Sequence, residues 1–332
     1  MKKKEPVNEE IKEEKVEEAI EEAPAIEEPQ PISYESEYLQ DIENSRLDFL
    51  KFYKTQNIFK WVVALVSLTI VLLDFLLIPN LFPEKAKLRL ALMLVIAGVA
   101  LGGAGTYTIL IKRFINKRMK KYFVDYYQSV DNYVFDQEGF SDAELQDPDR
   151  IEQVQFDENK IHVNVSNVGS RGLTTFRYRD KPMYICDCAA QIRLEKSMKP
   201  VFVGKYLVGD SSYEDADPVI IYIKGDERSL PPTNVEANKL VYDDKDMLVY
   251  SNNKDWNKLV NSKLMKKLHT FKLSKDLVDV TISFVNKKVY MCLGYDDSLM
   301  VLPLQNPFDP KPNMQYKKDL AYFASLIEEL DK

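Results

Sequence analysis

The sequence predicts an α+β protein: a two-helix transmembrane hairpin with amphipathic juxtamembrane helices, joined to a cytoplasmic, mainly antiparallel β domain carrying two helices. Three observations predict it. Two long apolar runs are separated only by the short segment Pro79–Arg89. From about Asp136 onward the chain breaks into short alternating stretches that read as strands. Two stripes of apolar residues at 3-4 spacing interrupt those stretches and read as helices.

The first element is an acidic tail, residues 1–32. Of 332 residues with a net charge of −7, these carry 11 Glu and 5 Lys, a net of 5 − 11 = −6, leaving −1 for the rest. A segment this polar, without an aromatic residue, cannot bury enough apolar surface to offset its ordering entropy, so disorder is expected. It reads as a solubilising tail or as a tether folding on a partner through Ile11, Val16 and Ile20. Lys2–Lys4 are followed by no apolar core, so no cleavable signal peptide is expected.

Residues 33–57 follow as a juxtamembrane helix, with Leu39, Ile42, Phe49 and Tyr53 at helical spacing and Arg46 interrupting the row. The first span is placed at 58–81 and contains WVVALVSLTIVLLDFLLI from Trp61 to Ile78, with the single charge Asp74. The second, at 90–111, reads LALMLVIAGVALGGAGTYTILI without a charge. About 20 apolar residues cross about 30 Å of hydrocarbon, and both runs meet that length, with 82–89 as a short extracellular turn. Asp74 lies four residues from Ile78, within reach of interfacial water by a small tilt.

Basic residues orient the hairpin. Lys112, Arg113, Lys117, Arg118, Lys120 and Lys121 follow the second span, and Lys51, Lys54 and Lys60 precede the first. The turn holds Lys85, Lys87 and Arg89. The bias predicts a multi-pass cell-membrane protein with both termini cytoplasmic. The odd set Cys186, Cys188 and Cys292 suits a reducing compartment. Gly98 and Gly102 form a GxxxG continued by Thr106, a helix-packing face for the first span, for a second copy or for another protein's helix.

Residues 112–135 form a basic and aromatic juxtamembrane helix with Ile115, Met119, Tyr122, Tyr126, Val130 and Tyr133 on its apolar side. The six basic residues that open it attract anionic lipid. The cytoplasmic domain, 136–332, carries expected strands at Lys160–Val165, Thr174–Arg179, Pro182–Ala189, Pro200–Leu207, Val219–Lys224, Lys239–Tyr242, Met247–Ser251, Val278–Phe284, Lys288–Leu293 and Leu299–Leu302. Asn286–Lys287 is expected to turn one strand into the next. Helices are expected at Asp255–Phe271 and Met314–Leu330. The loop Gly209–Asp217 is acidic.

No catalytic, cofactor-binding or metal constellation stands out. His162 alternates with Ile161 and Val163 and so is expected to point away from the core, and His269 has no evident acid partner. Cys186 and Cys188 share one face of a strand, but one C-x-C with a distant Cys292 lacks zinc-site spacing. Gly169–Gly172 lacks the GK[ST] of a P-loop and reads as a turn. Arg171, Phe176, Arg177, Tyr178 and Arg179 form a small cationic-aromatic patch, yet the domain is not basic, so no nucleic-acid partner is expected. Asp210, Glu214, Asp215 and Asp217 lack EF-hand spacing.

The segments Lys199-Pro200-Val201-Phe202-Val203-Gly204 and Met247-Leu248-Val249-Tyr250-Ser251-Asn252, with LVNSKLMKKLHTF, VTISFVNKKVYMCL and SLMVLPLQNPF after them, resemble a bacterial two-span membrane protein family of unknown function, over about residues 55–330. The resemblance implies a cytoplasmic α+β domain, no known catalytic residue, and a membrane partner of the LemA-like kind encoded beside such proteins. The leading expectation is a non-catalytic, membrane-anchored scaffold whose partners are the bilayer and a membrane or cytoplasmic protein, or a second copy. An accessory subunit of a transporter or membrane complex, and an enzyme with an unrecognised site, are the alternatives.

Overall fold

The computed structural model describes residues 36–146, 150–296, 304 and 306–330. The acidic tail and the expected strand Leu299–Leu302 lie outside the described residues.

Two helices dominate the first part. Helix α1, Glu37–Leu81, is 45 residues long, and Ser36 caps it by accepting from the Tyr38 amide. Helix α2, Ala86–Phe135, is 50 residues long. Both are long and apolar enough to cross a membrane. They run side by side in opposite directions, with Phe49 stacked on Tyr122 at 5.5 Å and Arg118 over Phe52 at 5.9 Å. In the apolar stretches only a narrow seam is shielded: Ser67, Asp74 and Ile78 are buried on α1, and Ile96, Ala97, Ala100, Ala104 and Tyr107 are half-buried on α2. The small Ala residues recur at intervals of three and four, which puts them on the α1-facing side.

The remainder forms one nine-stranded antiparallel sheet in the order β1-β2-β3-β4-β9-β8-β5-β7-β6. The strands are β1 Phe140–Leu145, β2 Val165–Tyr178, β3 Lys181–Arg193, β4 Met198–Asp210, β5 Val219–Lys224, β6 Leu240–Asp243, β7 Met247–Ser251, β8 Leu277–Val285 and β9 Lys288–Tyr295. The β8–β9 turn is closed by Asn286 and Lys287, both at positive φ (50° and 63°), the geometry of a two-residue hairpin loop. Short helices α3 (Gln153–Asp157), α4 (Trp256–Leu259) and α5 (Ser262–Thr270) and the long α6 (Lys311–Leu330) complete the set.

The sheet has a core on each face. One gathers Leu39, Ile42, Phe49, Tyr122, Tyr126 and Val130 of the long helices with Leu264 and Leu268 of α5 and Tyr316, Leu320, Phe323 and Ile327 of α6. The other, smaller core packs Ile151, Phe156 and Ile161 on Cys186, Cys188, Tyr206 and Cys292.

Several expectations are corrected. Lys160–Val165 is not a strand: Lys160 and Asn164 have φ of 55° and 57°. Its backbone bonds instead to a loop, through Asn234 N to Ile161 O at 3.1 Å and Val163 N to Thr233 Oγ1 at 2.9 Å. The expected helix Asp255–Phe271 breaks before Asn261, whose side chain caps α5 by accepting from Lys263 and Leu264 amides. Gly169–Gly172 is no turn but the middle of β2, beside an irregularity between Arg171 and Thr174. Strand β1 and helix α3 had no alternation or length to announce them.

Candidate functional site

The strongest concentration of polar chemistry in the described residues lies where α2, α6 and strands β2 to β4 meet. Alternation along β3 sends Cys186 and Cys188 to the smaller core and Asp187, between them, to the opposite face. Asp187 is 3% exposed. Lys205 stands opposite it in the β3–β4 register, and Lys205 Nζ lies 2.5 Å from Asp187 Oδ1, an ion-pair contact outside hydrogen-bond geometry. Tyr127 Oη donates to Asp187 Oδ2 at 2.5 Å, and Arg171 Nε lies 3.5 Å from the same oxygen. The Lys205 ammonium also sits 4.6 Å from the centre of the Tyr316 ring.

A second carboxylate sits close by. Asp131 of α2 accepts from Thr174 Oγ1 at 2.6 Å, and burial pushes its pKa from the ordinary 3.8 up to about 7. Burial first, and the Asp187 charge second, push the Tyr127 phenol well above its usual range, so it stays a donor. Gly172 makes the close approach possible: its φ is +59°, and a Cβ there would lie 2.6 Å from the Tyr127 ring. The arrangement is a buried electrostatic clasp between the long helix and the sheet. Its hydroxyls and charges are engaged with each other.

The other groups of chemical interest are also engaged. Burial raises the thiols of Cys186, Cys188 and Cys292, which keeps them protonated and poorly nucleophilic near neutral pH. His162 is buried, not outward: it stacks on Phe156 at 6.2 Å, and burial lowers its pKa to about 4. His269 does have an acid neighbour, with Asp244 Oδ2 3.6 Å from Nε2. Arg177 donates to the Asp180 carbonyl and Arg179 pairs with Glu328. In the acidic loop, Asp210 pairs with Lys288, Glu214 with Lys287, and Asp215 accepts from Asn253. A cleft of about 430 Å³ lies over Tyr184, Arg177, Asp210 and Lys288, and the last two neutralise each other at 2.5 Å. Among the described residues no group of three or more His, Cys, Asp or Glu is placed to hold a metal.

On the apolar helices, Gly98 and Gly102 do not face α1: a Cβ at either would meet nothing within 4 Å, and Thr106 is exposed beside them. In this structure they do not pack on the chain's own first helix. Asp74 does face the seam, with 5% exposure and no hydrogen-bond partner for either oxygen among the described residues, so it does not turn outward to water. Lys112, Arg113, Lys117, Lys120 and Lys121 are exposed, with Lys121 paired to Asp125 at 2.7 Å. Arg46, which interrupted the apolar row of α1, is buried in that row by pairing with Glu43 at 2.5 Å. Glu43 in turn accepts from the Phe308 amide at 3.0 Å, tying α1 to the segment before α6.

Two signals could have pointed to the clasp. Asp187 and Lys205 are single charges inside otherwise apolar strand segments, ICDCAA and VFVGKYLV. Their partnership, and that of Asp131, depends on a register that the sequence does not display.

No family model matches the chain, and no curated protein matches it. Among solved structures, the crystal structure of the mycobacterial trehalose monomycolate transport factor A is similar over 60% of this chain and 91% of that one, at 14% identity and a TM-score of 0.33. A likeness of that size carries no argument about function.

Proposed function

We propose that the protein is a non-catalytic, membrane-anchored scaffold. Helices α1 and α2 form a hairpin across the bilayer with both ends cytoplasmic, and the sheet domain is presented to partners at the inner leaflet. One observation carries this reading. The stretches Trp61–Ile78 and Leu90–Ile111 leave large apolar side chains bare, among them Trp61 at 70%, Leu65 at 65% and Val99 at 72% exposure. Apolar surface this continuous is not left in water.

The same helices run on as amphipathic elements into the domain core. One face of each, Leu39, Ile42 and Phe49 on α1 and Tyr122, Tyr126, Val130 and Val134 on α2, joins the domain core without an intervening linker. A force or displacement in the bilayer thus has a direct mechanical route to the clasp at Asp187. The resemblance to two-span bacterial proteins encoded beside LemA-like neighbours fits a membrane partner.

The test is in-cell crosslinking and recovery of the tagged full chain in mild detergent, with and without residues 1–32. Reproducible partners, lost or reduced without the tail, are expected. Recovery of none in either form overturns the scaffold reading.

A second reading, as an accessory subunit of a larger membrane complex, is favoured by the outward glycine face. Gly98, Gly102 and Thr106 leave room for another helix to approach closely, either from a second copy or from a different protein.

A further inference from the structure

Helix α2 and strand β2 lie alongside each other. Arg171 sits over the Phe123 ring at 5.8 Å, Thr174 bonds Asp131 at 2.6 Å, and Phe176 packs on Phe135 at 4.8 Å. From Phe123 to Phe135 is about 18 Å of helix at 1.5 Å per residue. From Arg171 to Phe176 the strand holds one bulge residue and spans the four steps Asp187–Met183 of its partner, about 13 Å. The two elements therefore run in the same direction at an acute angle.

That relation sets the height of the sheet's other end. From Arg171 back to Val165, opposite Asp187–Ile192, is about 17 Å of strand, equal to about 11 helical residues. Val165 thus ends level with about Lys112, at the start of the basic cluster. Val165 pairs with Ile192, and Ile192 pairs with Lys199. The tip of the β3–β4 hairpin, closed by Leu194 N to Ser197 O at 2.9 Å, extends to this level or slightly beyond it.

The composition of the tip matches that position. Residues 193–200 are all exposed, including Leu194 at 46% and Met198 at 43%. Arg193, Lys196 and Lys199 oppose Glu195 alone, and among the described residues none of these three cations is in an ion pair. Two exposed aliphatic side chains are ordinary on any surface. What sets these apart is that they stand, with a net positive charge, in the plane of Lys60, Lys112 and Arg113. A surface that accepts both aliphatic side chains and cations in one plane is the headgroup region of an anionic bilayer.

We propose that the β3–β4 hairpin tip docks on the anionic inner leaflet, with Leu194 and Met198 entering the interface and Arg193, Lys196 and Lys199 on lipid phosphates. The tip makes a third attachment beside the two helices and fixes the tilt of the sheet over the membrane. This rests on the helices lying in the bilayer, as proposed above.

The experiment uses the full chain reconstituted in nanodiscs of phosphatidylcholine, with or without phosphatidylglycerol, each containing a headgroup nitroxide lipid. One variant, Ser197→Cys, carries a fluorophore at the tip, and another, Lys117→Cys, carries it on the helix as a reference. With phosphatidylglycerol both probes are expected to be quenched. Quenching at Ser197 should fall at least about twofold in phosphatidylcholine alone, in Leu194→Ser/Met198→Ser, and in Arg193→Glu/Lys196→Glu/Lys199→Glu, with Lys117 unchanged. Quenching at Lys117 without quenching at Ser197 overturns the docking and leaves the membrane reading intact. Quenching at Ser197 that ignores lipid charge and both sets of substitutions also overturns it, as proximity without docking. Absence of quenching at both sites overturns the membrane reading itself.

Discussion

Lys205 Nζ and Asp187 Oδ1 face each other at 2.5 Å between adjacent strands, with 6% and 3% of each residue exposed. Taking two charges out of water is costly, and removing one partner leaves the other buried and uncompensated. Lys205→Met is therefore expected to destabilise the domain by about 3 kcal/mol. Lys205→Met/Asp187→Asn is expected to recover much of that loss, because Tyr127 can still donate to the amide oxygen. Urea titration of the detergent-solubilised chain measures both. A loss below about 0.5 kcal/mol in the single variant would show that the pair is hydrated and not a buried clasp.

Asp131 and His162 tilt the pH dependence of stability in opposite directions. Asp131 holds its proton up to about 7 when folded, against 3.8 ordinarily, so stability from this group falls as pH rises between those values. Asp279, pushed up to about 6 by burial, adds a slope of the same sign over a narrower range. His162 is neutral down to about 4 when folded, against 6.5 ordinarily, so its contribution is lost as pH falls from 6.5 toward 4. On acidification across this range the melting temperature of Asp131→Asn should drift downward relative to the parent chain, and that of His162→Phe should drift upward relative to it. Parallel curves for the parent and both variants would contradict these assignments.

Glycines at two levels of the molecule should respond in opposite ways. At Gly204 a Cβ would lie 1.9 Å from the Leu293 carbonyl oxygen, where β4 meets β9 opposite Gly294. Gly204→Ala is expected to cost about 3 kcal/mol, because backbone cannot yield as a flexible side chain does. Gly98→Leu and Gly102→Leu meet open space and should leave urea stability of the solubilised chain unchanged. If the outward face seats another helix, the same two substitutions abolish that association, read by native mass or by co-purification in mild detergent.

The legible parts of the fold were those set by local pattern. Asn286–Lys287 between two apolar strands is a hairpin on composition alone, and the two apolar stretches declare themselves by length. Lys160–Val165 misled because its alternation reflects a loop whose Ile161 and His162 are buried against Phe156 and whose backbone bonds to residues about seventy positions away. Arg46 read as a defect in an apolar row although Glu43, three residues earlier on the same helix face, neutralises it. What the sequence does not display is that the segment before α6 covers the pair, through Phe308 N to Glu43 and Arg46 to the Leu304 carbonyl. The Asp187–Lys205–Tyr127–Asp131 cluster escaped for the same reason. Strand register and helix placement, not spacing along the chain, bring its members together.

The cysteines provide a clean report on both core and topology. All three are free and buried, and burial raises each thiol, so maleimide should not label Cys186, Cys188 or Cys292 in the native protein near neutral pH. Full labelling in denaturant, read by mass, confirms that the protection comes from the fold. That silent background allows single added cysteines to be read without removing the native ones. Lys87→Cys, in the first turn of α2, should react with a membrane-impermeant maleimide applied to intact cells. Lys117→Cys should react only after lysis. The opposite pattern would place the sheet domain outside the cell and overturn the orientation argued from the basic residues.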